Sequence, residues 1–201
     1  DGCGYVPKPG NGNGPGAGGN SGSGGGYGGK GGGTAGGNPY GTNALPLEPG
    51  SPGGVFTVYN SGKGGGAIHM VAGGDLVLNG TLSANGLPGD YYGGNGASGG
   101  SIFLSGGRLK GAGTLQANGG ALGSQSVVGD GGGGRIAVWH HISPFRTDAN
   151  LASRSPVNLT YTTNVPTFTG QLLVTAGGTN AQDGTKGFYQ GPPTGTTISL
   201  Q

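Results

Sequence analysis

The chain has 201 residues, of which 56 are glycine and 13 are proline, and only 8% of them are charged. Each interior glycine costs a helix about 1 kcal/mol relative to alanine, and no window shows a sustained 3.6-residue apolar period. This composition therefore predicts a chain that is essentially all-β and coil. The formal net charge of +2 and the scattered basic residues exclude a nucleic-acid-binding stripe. No apolar run approaches the ~20 residues of a membrane span.

Residues 1–44 form a glycine-rich N-terminal segment. Over 17–33 the side chains tend to return every third residue, a period that belongs to polyproline-II-like helices, which make no internal hydrogen bonds. If such segments pack, their backbone groups must bond to adjacent segments, and only glycine lets the backbones approach closely enough. We expect an extended, polyproline-II-like layer, with a flexible linker over residues 10–43 as the alternative.

Cys3 is the only cysteine, so an internal disulfide is excluded. An unpaired small residue and an intersubunit bridge to a neighbouring copy both remain open for it. Asp1 and Gly2 precede it, which argues against lipid attachment. Because the sequence begins without methionine, we expect either a removed signal peptide or a fragment of a longer chain.

A repeat of about 34 residues organises the second region, residues 45–142, which we predict to be a repeat β domain. Glycine-rich stretches precede three short strands at equal intervals, and each of these strands alternates in a way that predicts one buried face. Short strands that turn on Gly and Asn-Gly favour a parallel β-solenoid-like stack, with a β-sandwich or jelly roll as the alternative. Stacking would align these residues into internal ladders and a corner ladder: Ile68, Ile102 and Ile136; Leu76 and Leu109; Leu82 and Leu115; Asn85 and Asn118.

Residues 143–201 form the third region, a C-terminal β region. Its strand-like stretches "VNLTYTTNV" (157–165) and "GTTISLQ" (195–201) could pair with a neighbouring chain by strand addition. This region therefore contains a candidate strand-exchange tail.

Residues that could carry chemistry are few. The seven acidic residues are dispersed, so no carboxylate pair of the glycosidase kind is apparent. His140 and His141 are neighbours on a strand and should point to opposite faces, which makes joint ligation of one metal awkward. We expect them to be solvated surface residues, and we predict no enzyme activity, no cofactor and no metal site.

Aromatic residues are the best candidates for recognition of sugars or surfaces by stacking. Tyr91, Tyr92 and Trp139 are the leading ones, with Tyr27 and Tyr40 beside them. In glycine-rich chains, aromatic side chains more often fill space between backbones, so packing is the favoured interpretation.

The order of features also carries a resemblance. "LEPGSPGG", "GGGAIHMVAGGDLVLNGTLSANG", "GGSIFLSGGRLKGAGTLQANGG", "GDGGGGRIAVWH" and "DGTKGFYQGPP" resemble the glycine-rich repeat modules of very large secreted bacterial surface proteins. The resemblance covers residues 45–140 well and 171–192 weakly. It implies a secreted, extracellular or cell-surface repeat protein on a β-solenoid-like scaffold, and it supplies no catalytic residues.

Three functions follow as expectations. The first is an extracellular structural protein, a subunit that self-assembles into a filament or matrix fibre, because a coil stack has two open hydrogen-bonding edges; its partner would be further copies of itself. The second is an adhesin or carbohydrate-binding module that recognises cell-surface glycans. The third is an ice-binding protein, for which Thr81 and Thr114 would give a two-step threonine ladder.

Overall fold

The computed structural model describes residues 1–8, 13–19, 22–55, 61–90, 93–124, 129–153 and 159–192. Within these ranges the chain is rich in β-strands, its sheets are mostly parallel, and it contains one helix. The prediction of a β-rich protein is therefore confirmed. The elements are β1 Ala67–Val71, β2 Leu76–Val77, β3 Thr81–Ser83, β4 Ser101–Ser105, β5 Leu109–Lys110, β6 Thr114–Gln116, β7 Arg135–His140, α1 Pro144–Ser153, β8 Thr160–Thr162, β9 Gln171–Leu173 and β10 Thr185–Gln190.

The strands form three sheets. Sheet A has the order β1-β4-β7-β10-β8, sheet B pairs β2 with β5, and sheet C has the order β3-β6-β9. All of these pairs are parallel except β10 with β8. Parallel neighbours require a crossover between them, and over β1–β6 the chain visits the three sheets in turn, twice. We call β1–β3 the first rung and β4–β6 the second rung.

The register brings equivalent apolar residues side by side. Ile68 lies opposite Ile102, which lies opposite Ile136 in β7. In sheet B, Leu76 lies opposite Leu109. In sheet C, the row runs through three leucines: Leu82, Leu115 and Leu172.

Both faces of the central strands of sheet A are buried. One apolar cluster contains residues of all three sheets, including Ile102, Leu109 and Leu115. A second cluster lies on the opposite face of sheet A, around Phe103 and Trp139. The prediction of one buried face is therefore wrong for β4 and β7, every residue of which is buried. The cover of the second face comes from distant segments: Leu45, Leu47, Ile142, Leu151 and Leu159.

Helix α1 is a departure from the helix-free expectation. It lies in residues 135–169, a stretch without glycine, so the helix penalty that glycine imposes is absent there. Ser143 starts the helix, because its hydroxyl accepts the Arg146 N–H at 3.4 Å and Pro144 takes the first helical position, where proline is favoured. Thr147 Oγ1 lies 2.6 Å from Ser105 Oγ and ties the helix to β4.

Five glycine-rich segments without strands or helices pack together, and we call them the glycine layer: residues 22–37, 50–54, 61–66, 94–100 and 129–134. Its backbone bonds recur every three residues, since Gly62 N donates to Asn95 O and Gly65 N donates to Ser98 O. A β-ladder would repeat every two residues. The same three-residue interval holds for two more pairs of bonds: Gly96 to Gly129 with Gly99 to Gly132, and Gly131 to Gly120 with Gly134 to Ala117.

Candidate interaction surface

The outer edge of β1 has no strand beyond it among the described residues. Ser101 N donates to Gly66 O at 3.0 Å, and Ala72 N donates to Ser105 O at 2.8 Å, so even-numbered residues of this segment bond to β4. In a parallel strand, alternate residues bond to opposite sides. The N–H and C=O groups of the odd-numbered residues therefore point outward, at Ala67, His69 and Val71.

The outer edges of β2 and β3 have the same arrangement. Leu76 N donates to Arg108 O at 2.8 Å, which directs the backbone groups of Val77 outward. Thr114 N donates to Gly80 O at 2.9 Å, which does the same for Thr81. We call the outward side of β1, β2 and β3 the first-rung edge.

The strands of the first-rung edge themselves carry no charged side chains. Met70, Val71 and Val77 are 45%, 43% and 66% exposed, and none of the three strands carries a lysine, an aspartate or a proline. Such residues are the usual means by which natural sheets prevent edge pairing. This edge is therefore competent to pair with another strand.

Charged side chains lie next to the first-rung edge in two places: Asp1 accepts bonds from Ser83 Oγ and Asn85 N, and Asp75 forms a cluster with two basic residues. Asp75 lies 2.6 Å from Lys110 Nζ and 3.1 Å from Arg108 Nη2. The hydrogen bond from Lys110, and to a smaller extent those from Arg108, hold the pKa of the Asp75 carboxyl far below its usual range. This cluster links the first rung to the second, and its two cations and one carboxylate leave a formal charge of +1.

The far end of the stack differs from the first-rung edge in sheets A and C. Strand β8 covers β10 in the antiparallel direction. Lys186 Nζ donates to Leu172 O at 2.6 Å, and Gly184 N donates to Val174 O at 2.7 Å, so carbonyls on the outer side of sheet C already have partners. The expectation of two open edges is therefore wrong for sheet C at this end, because the segment that follows β9 folds back over it. In sheet A, β8 is the edge strand, and no described strand lies beyond it.

Asn85 and Asn118 lie at the corner that follows sheet C. Asn118 N donates to Asn85 Oδ1 at 2.7 Å, and Thr175 N donates to Asn118 Oδ1 at 2.9 Å. Each asparagine side chain therefore accepts a bond from the backbone of the next rung. We call this series the corner ladder.

Trp139 was a candidate for surface recognition, and the structure excludes that role. Its side chain has no exposed surface. Its Nε1–H donates to Ala44 O at 2.7 Å, and its ring stands edge-on to Phe103 with 4.9 Å between centroids. The tryptophan joins residues 44–47 to sheet A. The other two candidates, Tyr91 and Tyr92, lie outside the described residues.

His140 is buried and His141 is exposed, so the expectation of two solvated histidines is wrong for His140. Their Nδ1 atoms are 2.8 Å apart. Burial, together with this neighbouring imidazole, lowers the pKa of His140. Within the described ranges, no three His, Cys, Asp or Glu side chains are grouped as metal ligands would be.

Arg135 is a buried cation that the sequence reasoning missed. Its guanidinium donates to Tyr40 O at 2.9 Å, to Thr185 Oγ1 at 2.8 Å and to Asn43 Oδ1, and it lies 5.4 Å from the Tyr27 ring centroid. Tyr27 is itself fully buried, and burial raises its pKa. These contacts join the glycine layer to β7. The sequence did contain a sign of this role, because Arg135 occupies the position in β7 that is filled by Ser101 in β4.

Cys3 is exposed and has a free thiol. Its Cβ lies close to Gly66, since a Cβ added at that glycine would be 3.2 Å away. The thiol is therefore near the start of β1 and beside the first-rung edge.

Comparisons with family models, with curated proteins and with solved structures find no match to this chain. In the described part of the chain, no helix has the length and apolarity needed to cross a membrane. The class that the structure defines is a β-rich protein of mostly parallel sheets with one helix.

Proposed function

We propose that this protein is an extracellular structural protein, a subunit of a filament or matrix fibre. It self-assembles when the first-rung edge of one copy pairs with the outer side of β8 in the next copy, the other edge of sheet A with no strand beyond it among the described residues. In this proposal the rungs are coils of a parallel β-solenoid-like stack, and the glycine layer consists of packed polyproline-II-like segments. The parallel register of the isoleucines supports the first part. The three-residue interval of the backbone bonds supports the second.

The open first-rung edge is the observation that carries the proposal. A strand added there would satisfy the outward backbone groups of His69, Val71, Val77 and Thr81, and main-chain bonds of this kind supply affinity in strand addition. It would also cover the exposed apolar side chains beside the edge. Full burial of one such side chain contributes roughly 1.5–3 kcal/mol.

The alternative of an adhesin has lost one of its three aromatic candidates, because Trp139 is buried. The ice-binding alternative needs a regular threonine array. Thr81 lies opposite Thr114, but Gln171 takes the next place in that row, so the array ends after two steps. We therefore retain the structural role.

Electron microscopy and static light scattering of the purified protein test the proposal directly. We expect filaments whose abundance rises with protein concentration. Val77→Lys places a charge on the edge and should suppress them, whereas Val6→Lys changes an exposed valine outside the three edge strands and should not. A wild-type chain that remains monomeric at high concentration would exclude self-assembly.

A further inference from the structure

Asp1 and Gly2 continue the corner ladder by one step beyond the first rung. Gly2 N donates to Asn85 O at 3.0 Å, as Gly86 N donates to Asn118 O at 2.9 Å. The side-chain bonds match as well. Asn85 N donates to Asp1 Oδ1 at 2.9 Å, which repeats the bond from Asn118 N to Asn85 Oδ1.

The match places Asp1 where the corner residue of a preceding rung belongs. Within the ladder, β3 and Ala84 lead directly into Asn85, and β6 and Ala117 lead into Asn118. A strand that leads into Asp1 in the same way would run parallel to β3, next to the outward groups of Thr81.

A register also follows from these bonds. In sheet C the equivalent residues pair at one fixed offset, as Leu82 does with Leu115. Leu82 lies two positions before Ala84, and its partner Leu115 lies two positions before Ala117. A partner strand in this register needs an apolar residue three positions before Asp1, facing the cluster that contains Leu82.

We infer that the first-rung edge binds one further parallel rung of the repeat's own pattern, in the register in which the last residue of that rung lies immediately before Asp1. This inference rests on the proposed function in one respect, since both require that the first-rung edge is able to pair with a further strand. An antiparallel strand from a second copy is the competing occupant. The parallel direction is favoured because Gly2 already bonds to Asn85 in the parallel pattern.

A fusion that places a copy of residues 67–84 directly before Asp1 tests the inference. Its final alanine then leads into Asp1 as Ala84 leads into Asn85. We expect a midpoint of thermal unfolding at least about 5 °C higher, as an added nearest-neighbour interface predicts. Amide exchange measured by NMR should slow at least about tenfold at His69, Val77 and Thr81, independently of protein concentration.

A matched fusion with one serine inserted before Asp1 is the control, because a one-residue slip turns every side chain of a strand to the opposite face. Slow exchange at the buried Val138 verifies that each fusion is folded. Equal protection in the two fusions would overturn the inference. A second result would also overturn the inference: the edge amides are protected in the unfused protein only as its concentration rises, and they are not protected in the in-register fusion. That result identifies a second copy as the occupant.

The outcome for the inference is separable from that for self-assembly. If the in-register fusion protects the edge while the unfused chain is monomeric at every concentration, the inference stands and the proposed filament fails. If the unfused chain forms filaments and the in-register fusion neither protects the edge nor reduces them, the filament stands and the inference fails.

Discussion

Gly99 lies in the glycine layer where a side chain has no room. A Cβ at this position would be 2.0 Å from Ala117 O and 2.8 Å from Gly134 N, two atoms joined by a 2.7 Å hydrogen bond. Ordinary van der Waals contact begins at 3.4 Å. Gly99→Ala must therefore separate these segments and break the bond. Its φ is not in the left-handed region, so no backbone strain adds to the packing effect.

The expected destabilisation follows from these contacts. Each buried polar group left without a partner costs about 1–3 kcal/mol, and overpacking adds roughly 1–3 kcal/mol. We expect Gly99→Ala to lower the free energy of unfolding by about 4 kcal/mol or more, a large part of the ~5–15 kcal/mol typical of proteins. The unfolding midpoint should fall by about 8 °C or more.

Denaturant unfolding followed by the fluorescence of Trp139, the single tryptophan, measures this change. Gly80→Ala is the matched control, because a Cβ at Gly80 meets nothing within 4 Å. That variant should be neutral or more stable by about 0.4–1 kcal/mol. If Gly99→Ala and Gly80→Ala unfold within about 1 kcal/mol of each other, the close packing of the glycine layer is refuted.

Three further predictions concern single side chains. Asn118→Ala removes the acceptor for the exposed Thr175 N and should lower the free energy of unfolding by about 0.5–1.5 kcal/mol. Asn118→Asp keeps an acceptor oxygen and should lose less, so urea unfolding of both variants distinguishes a corner ladder from a solvated corner. Trp139→Ala should lower the free energy of unfolding by about 3–5 kcal/mol as measured by calorimetry, and a loss below about 1 kcal/mol would contradict the burial of Trp139. The folded-state pKa of His140 is lowered, so the unfolded chain binds the proton more tightly and stability should fall as the pH drops below about 6.5. Thermal melts from pH 7.5 to 5 should show a weaker dependence in His140→Gln, and an unchanged dependence would contradict this assignment.

The strand segments were readable from the sequence because they combine a local apolar alternation with glycine punctuation. The structure pairs Ile68, Ile102 and Ile136 in line, at the interval visible in the sequence. The burial of both faces of β4 and β7 could not be predicted from the sequence, because the residues that cover Phe103 come from segments remote in sequence. Only tertiary packing brings them together, and periodicity within one strand carries no information about it.

The interaction surface was predictable in part. An open edge follows from parallel strands that stack, and the first rung has one. The closure of sheet C at the far end depends on Lys186 reaching Leu172 O, a contact that the described residues of the first two rungs do not repeat. Helix α1 did carry a signal, the Ser143-Pro144 start within a stretch without glycine.

The glycine layer has a consequence for how stability changes with temperature. Unfolding it exposes mainly peptide groups, and exposure of polar surface lowers the heat capacity, whereas exposure of apolar surface raises it. With 56 glycines in 201 residues, the heat-capacity increment of unfolding should lie below the ~12–15 cal/mol/K per residue of ordinary globular proteins. A smaller increment flattens the stability curve, so this protein should keep a nearly constant free energy of unfolding across an unusually wide range of temperatures.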